Sequence, residues 1–311
     1  MAYEGIAATD AVYDLAEGVL WDDHAGLVRW VDIWAGRVLS GRLETTDLHG
    51  TRIVDTTEIV IGDYSEAPQT AGAVALAEDG GLLIAAARGL ATISPDAQVS
   101  FGPDLLGSRG NVRLNDGSVD PQGRFVVGSL SLTDETGTEV LLRVNPDGMV
   151  ETLRTGIRLS NGIAFSPDGS TIYHVDSLAR TISSHAYEPG AFDSAEPWVT
   201  IVDELPHSPD GLTVSADGDL WIAQFGGSGV VRYSSAGKLI DEVTIDATQA
   251  TCPAFVGPGL DILVISSAQE GLDVWADKSG ALFVARPGAV GLPVPRWSGS
   301  TTTPYWKAAP A

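Results

Sequence analysis

The stretch LSNGIAFSPDGSTIYHVDS, residues 159–177, holds the pattern from which the fold can be read. A short apolar run (Gly162 to Phe165) enters the turn Pro167-Asp168-Gly169, and a β-rich run, TIYHVDS (171–177), leaves it. Glycine in such a turn supplies the positive φ that a tight hairpin demands. The same unit recurs outward in both directions. LVRWVDI (27–33), LLIAAA (82–87), RFVVGSL (124–130), DLWIAQF (219–225) and DILVISS (261–267) each follow a turn, with Gly26, Gly80, Gly123, Gly218 and Gly259 in those turns. With Gly169 these six glycines stand 41–54 residues apart. A period of about 40–50 residues with several short strands per unit is the signature of propeller blades. The repeats predict an all-β, six-bladed β-propeller built as one domain over residues 1–311. No strong helix separates successive strands, which argues against a barrel of alternating strands and helices.

Composition narrows the function classes. The chain has 311 residues, 44% hydrophobic and 19% charged, and a formal charge of −23. Such a field repels nucleic acid and anionic membrane surfaces, so neither is an expected partner. The single cysteine, Cys252, leaves no intramolecular disulfide. No stretch reaches the roughly 20 apolar residues that span a bilayer, and the first residues lack a signal-peptide pattern. A soluble, cytoplasmic protein is expected. Ring closure calls for pairing between residues near Ala11–Tyr13 and the last blade, and the polar tail 299–311 reads as loosely held.

Polar residues interrupt the repeat at one register, where the first strand of a blade lines the axis. Glu17-Gly18, Asn161-Gly162 and Asp210-Gly211 each precede an apolar run, and Asn115-Asp116-Gly117 falls in nearly the same place. The second and sixth repeats offer Thr70-Ala71-Gly72 and Thr251-Cys252-Pro253 there. Asn-Gly and Asp-Gly are ordinary turn dipeptides, but four in one register converge on the axis of a ring. Oxygen donors gathered in a buried place need a cation or a dense hydrogen-bond net. Two carboxylates and an amide suit Ca²⁺, Mn²⁺ or Mg²⁺ and also accept Zn²⁺.

AEGVLWD (16–22), WVDI (30–33), NVRLNDGSVDPQGR (111–124), LSNGIAFSPDG (159–169) and SPDGLTVSADGDLW (208–221) together resemble the senescence-marker-protein/gluconolactonase family of sugar lactonases and regucalcin-like proteins. Weaker matches continue to Gly291. The resemblance implies one divalent metal in a central channel. The family's acid falls on Glu17, its Asn on Asn161 and its Asp on Asp210, while the RxND motif falls on Arg113, Asn115 and Asp116. It further implies that Arg113 and Asn115 face substrate, and Asn115 either joins the metal as a fourth ligand or meets substrate alone. Ala16 and Val19 depart from the Gly and Pro common beside the family's first acid. A substrate-facing acid of some relatives has Thr133 in its place, with Asp134 and Glu135 just beyond.

The expected activity is opening of a sugar lactone, with a metal polarising the carbonyl and Asp210 as general base. Phosphotriester hydrolysis at the same site, and a non-enzymatic calcium-binding propeller, are the alternatives. Asp176 is expected to bond neighbouring strands, His24, His185 and His207 to be turn or surface residues, and Cys252 to be a buried thiol.

Overall fold

The computed structural model describes residues 2–46, 50–62, 69–133, 136–187, 192, 196–272 and 278–307. Four four-stranded antiparallel meanders follow the chain from Ala16 to Val202, beginning with Ala16–Asp22, Ala71–Leu76, Val112–Val119 and Ser160–Phe165. A nine-stranded sheet completes the fold. Within it, the meander starting at Ser208–Val214 meets the strands starting at Gln249–Val256 through one residue pair, Phe225 with Gln249. The six leading strands pack side by side, and Gln249–Val256 returns against Ala16–Asp22 to close a ring. Sheets radiating from such a ring make a β-propeller. Among the described residues the only helical element is the 3₁₀ turn Tyr305–Lys307.

Burial follows radius. Ala71–Leu76 and Gln249–Val256 on the inner ring are buried at every residue, whereas the outer strand Arg52–Val60 is mostly exposed. Inner strands are covered by sheets on both sides, which is why they read as near-continuous apolar runs. Trp30 and Trp221 fill space between sheets and are fully buried. Of the six turn glycines, Gly26, Gly80, Gly123, Gly169 and Gly218 do adopt positive φ. Gly259 does not; in that turn Gly257 and Leu260 take the left-handed conformation instead.

Closure differs from expectation. Ile6–Ala7, rather than residues near Ala11–Tyr13, pairs antiparallel with Phe283–Ala285. Tyr13 contributes only an amide donated to Gly280 O at 2.9 Å. The earlier segment is the one with free backbone groups in register, because Ala8 N also bonds Leu282 O at 2.7 Å. The tail is likewise more firmly held than its composition suggests. Just before it Trp297 is buried and donates its amide to Leu76 O, and within it Thr301 bonds the Asp79 carboxylate through N at 2.7 Å and Oγ1 at 2.8 Å. Trp306 Nε1 reaches Ser100 Oγ at 3.1 Å. Thr301 and Trp306 meet polar groups on the propeller, while Thr302 and Thr303 are exposed. Residues 308–311, like Asp134 and Glu135, lie outside the described residues.

One buried charge network ties two sheets together. Asp120, with no exposed surface, accepts from Arg124 Nε at 2.6 Å, from Tyr187 Oη at 2.6 Å and from the amides of Gln122 and Arg124 at 2.9 Å. Asp120→Ala removes the charged acceptor that Arg124 Nε and the Tyr187 hydroxyl share, so it is expected to cost about 3–5 kcal/mol. Urea unfolding measures this, and a loss below about 1 kcal/mol would show that the network contributes little.

Candidate active site

Every inner strand breaks register at the same level. Shifts fall between Glu17 and Leu20, Ala71 and Ala73, Leu114 and Gly117, Asn161 and Ile163, Pro209 and Leu212, and Ala250 and Pro253. A β-bulge kinks its strand and re-aims a side chain. Here the bulges bring Glu17, Asp116, Asn161 and Asp210 together. Glycine is what lets the strands come this close. A Cβ on Gly162 would stand 2.7 Å from Asp210 O, and one on Gly72 would stand 2.5 Å from Asn115 O.

Asn161 Nδ2 donates to Asp210 Oδ1 and, at 3.2 Å, to Ser177 Oγ, which in turn donates to Pro209 O at 2.6 Å. Asn161 Oδ1 is buried without a partner. Burial pushes the Glu17 carboxyl well above the usual carboxylate range, helped by the charges of Asp210 and Asp116. Asp210 is raised in the same way, by burial and then by Asp116, with the Asn161 amide opposing. Asp116 is raised to about 6 by burial, against a hydrogen bond from Gly117 N at 2.7 Å. A crowd of carboxyls beside an unsatisfied amide oxygen fits a cation held by Glu17, Asn161 and Asp210. Among the described residues no group of three His, Cys, Asp or Glu side chains is arranged to hold a metal, so the donor set depends on the amide.

Arg113 and Asn115 join this cluster. Arg113 Nη1 donates to Asn115 Oδ1 at 2.7 Å and Leu114 O at 3.0 Å, while its Nε is buried without a partner. Burial lowers the guanidinium to about 10, offset by Glu270, Glu17 and Asp210. Its Cζ lies over the Trp34 ring, 5.1 Å from the ring centre. Asn115 Nδ2 donates to Ser160 O at 2.9 Å.

Ser160 is braced from behind. Arg154 Nη1 lies 2.9 Å from His174 Nδ1 and Ser160 Oγ lies 2.8 Å from Nε2. Guanidinium only donates, so Nδ1 accepts and Nε2–H donates to Ser160. Burial and the Arg154 charge hold His174 neutral, well below the ordinary histidine range. His174→Phe removes the bond to Ser160, on the strand that presents Asn161, and the bond to Arg154, on the strand before it, and we expect a stability loss of about 2 kcal/mol by urea unfolding.

Inner-strand residues line an axial cavity of about 320 Å³, among them Val19, Asp116, Ile163, Leu212 and Cys252, and Leu292 joins them. Asp116 is partly exposed to this cavity, whereas Arg113, Asn115 and Asn161 do not line it. The polar cluster meets this cavity through Asp116. Cys252 is buried as expected, and burial pushes its thiol up, beyond nucleophilic use at neutral pH. Asp176 accepts from the amides of Arg158, Leu159 and Ala179, a structural role. His24 and His207 are exposed. His185 is buried instead of at the surface, bonding Ala186 O at 2.6 Å and Glu196 O at 3.1 Å. Its ring stacks on Phe192, which shields it from water.

The model of the SMP-30/gluconolactonase/LRE-like region matches residues 15–269. The chain belongs to this family. Among its relatives is pentonolactonase XacC of Haloferax volcanii, 32% identical over 90% of this chain and 93% of the relative. The L-arabinolactonase of Azospirillum brasilense is 33% identical over 92% and 93%. A solved structure of regucalcin from Agrobacterium tumefaciens, described as a calcium-binding protein, superposes with a TM-score of 0.83 at 26% identity, covering 96% of this chain and 98% of that one. The family region spans the five inner strands from Ala16–Asp22 to Ser208–Val214 and the sixth, Gln249–Val256. Sequence reasoning missed Trp34, Glu270, Ser177 and Ser160 as parts of the site's surroundings. Trp34 follows the WVDI motif directly, so it was within reach; Glu270 had no signal.

Proposed function

We propose that this chain opens the ring of a sugar lactone, as a six-bladed propeller with a divalent-cation site at its axis. Counting the two meanders of the nine-stranded sheet as separate blades supports the blade number, since a single pair joins them. The observation that carries the function is the buried, unpartnered Oδ1 of Asn161 beside two carboxyls that burial and mutual repulsion disfavour as bare anions. A Ca²⁺, Mn²⁺, Mg²⁺ or Zn²⁺ ion held by Glu17, Asn161 and Asp210, with Asn115 close by, would polarise the ester carbonyl and acidify a water. Oxygen-only donors favour the harder ions.

The chain's own groups divide the remaining work. Asp210 takes the proton of the attacking water and returns it to the ring oxygen that leaves. Arg113 presents its unpartnered Nε to the developing oxyanion or a ring hydroxyl, and stacking on Trp34 keeps that donor oriented. Asn115, fixed between Arg113 and Ser160 O, orients the substrate. The relatives named as pentono- and arabinolactonases support a small, hydroxylated lactone. A pure calcium binder has no use for a buried arginine with a free donor, so this pair favours an enzyme. The test is acidification of an aldonolactone panel by chelated protein with each ion restored in turn. Rate recovery with one or more ions supports the reading, and opening no faster than the spontaneous rate for every lactone and ion would sink it.

A further inference from the structure

Resting on the lactone reading, we infer that Glu270 is a specificity-determining residue that selects electrically neutral, hydroxyl-bearing lactones and rejects anionic ones. Glu270 lies on the loop after Ile262–Ala268, more than 200 residues from Trp34, and is exposed. Exposure alone would make it an ordinary surface acid. Three bonds make it a fixture of the site. Its amide donates to Asp14 O at 3.1 Å, its carbonyl accepts from Gln249 Nε2, and its Oε1 accepts from Trp34 Nε1 at 2.7 Å. Trp34 offers its ring face to Arg113 and its N–H edge to Glu270, so one indole sets both groups relative to each other.

Glu270 Oε2 has no partner among the described residues. A carboxylate oxygen held in place at the rim is an acceptor for a sugar hydroxyl. It is also a fixed negative charge, and it adds to Glu17, Asp116 and Asp210, three carboxyls gathered within the site. Glu270 is the foremost charge acting on Arg113 and also acts on Asp210, so its field reaches the reacting end. A divalent cation and Arg113 together do not outweigh four carboxylates. The nearby Arg88, which bonds Val112 O, is already paired with Asp104 at 2.7 Å. The whole chain, at −23, adds repulsion at long range. A lactone carrying a carboxylate, sulfate or phosphate at its far end meets an unpaired like charge, the kind of repulsive element by which sites discriminate.

The test compares D-glucono-1,4-lactone with D-glucaro-1,4-lactone, which differ only in a terminal CH₂OH or carboxylate, using calcium-loaded wild type and Glu270→Gln. Wild type is expected to favour the neutral lactone in kcat/KM by about 10-fold or more, and added salt to narrow that ratio, as screening requires. Glu270→Gln keeps an acceptor for Trp34 and is expected to shrink the ratio about fivefold. The salt series on wild type stands by itself if the variant folds poorly. Equal use of both lactones by wild type, or a ratio unmoved by both salt and Glu270→Gln, overturns this inference and leaves the lactone reading intact. Hydrolysis of neither lactone with Ca²⁺, Mn²⁺, Mg²⁺ or Zn²⁺ loaded in turn overturns this inference, and failure of the whole aldonolactone panel as well overturns the lactone reading.

Discussion

Asp210→Asn is expected to lower kcat/KM on an aldonolactone by about 10⁴-fold while making the cation-free protein more stable at neutral pH. Loss of a general base contributes roughly 10²–10⁴, and a missing carboxylate ligand weakens the cation site as well. The stability gain has a separate origin. Asp210 is buried against Glu17 and Asp116, and burial followed by the Asp116 charge pushes its carboxyl up. An amide of the same shape keeps the hydrogen-bonding role toward Asn161 without the charge. Residues that oppose stability and are retained at a pocket mark function. Turnover within about tenfold of wild type would sink both the base and the ligand assignments.

The second large effect is a pH dependence that reverses on cation loading. A carboxyl whose folded pKa is raised holds a proton in the native state after the unfolded chain has released its own. Stability then falls as pH rises from about 4 through the folded value. Asp116, at about 6, and Glu17 and Asp210, well above the ordinary range, all act in this sense. His174 acts oppositely. Its depressed pKa means stability is lost as pH falls below about 6.5, because the unfolded imidazole then takes up a proton that the buried one refuses. Subtracting the two urea-unfolding curves of wild type and Asp210→Asn, both in chelator, cancels the histidine. The difference is expected to grow with pH in favour of the variant, by at most about 1.4 kcal/mol per pH unit for each proton. Saturating Ca²⁺ removes the growth, and at about 100 times its Kd adds about 2.7 kcal/mol to wild type. A difference curve flat from pH 5 to 8 in chelator would show that neither burial nor the Asp116 charge raises the Asp210 carboxyl.

The repeat at 159–177 was informative because hairpin turns and inner-strand burial are local. A short apolar run and a glycine with positive φ are set by residues a few positions apart, so five of six turn glycines behave as their turns suggest. The ring of Glu17, Asn161 and Asp210 was legible for a related reason, since equal positions in a cyclic repeat must converge. Where a contact joined distant segments, the sequence was silent or misleading. Ile6 pairs with Val284, Thr301 with Asp79, and His185 hides under Phe192 because of neighbours that no local pattern names.

The chain by itself therefore determined an all-β propeller, its family, and which oxygens stand at the axis. Tertiary structure decided how they are aimed, since the bulges that turn Glu17, Asn161 and Asp210 inward exist only where one strand is registered against its neighbour. It also decided what surrounds them. The Trp34–Glu270 bond spans 236 positions in the chain, and a partnership of that range depends on ring closure rather than on any residue's own preference.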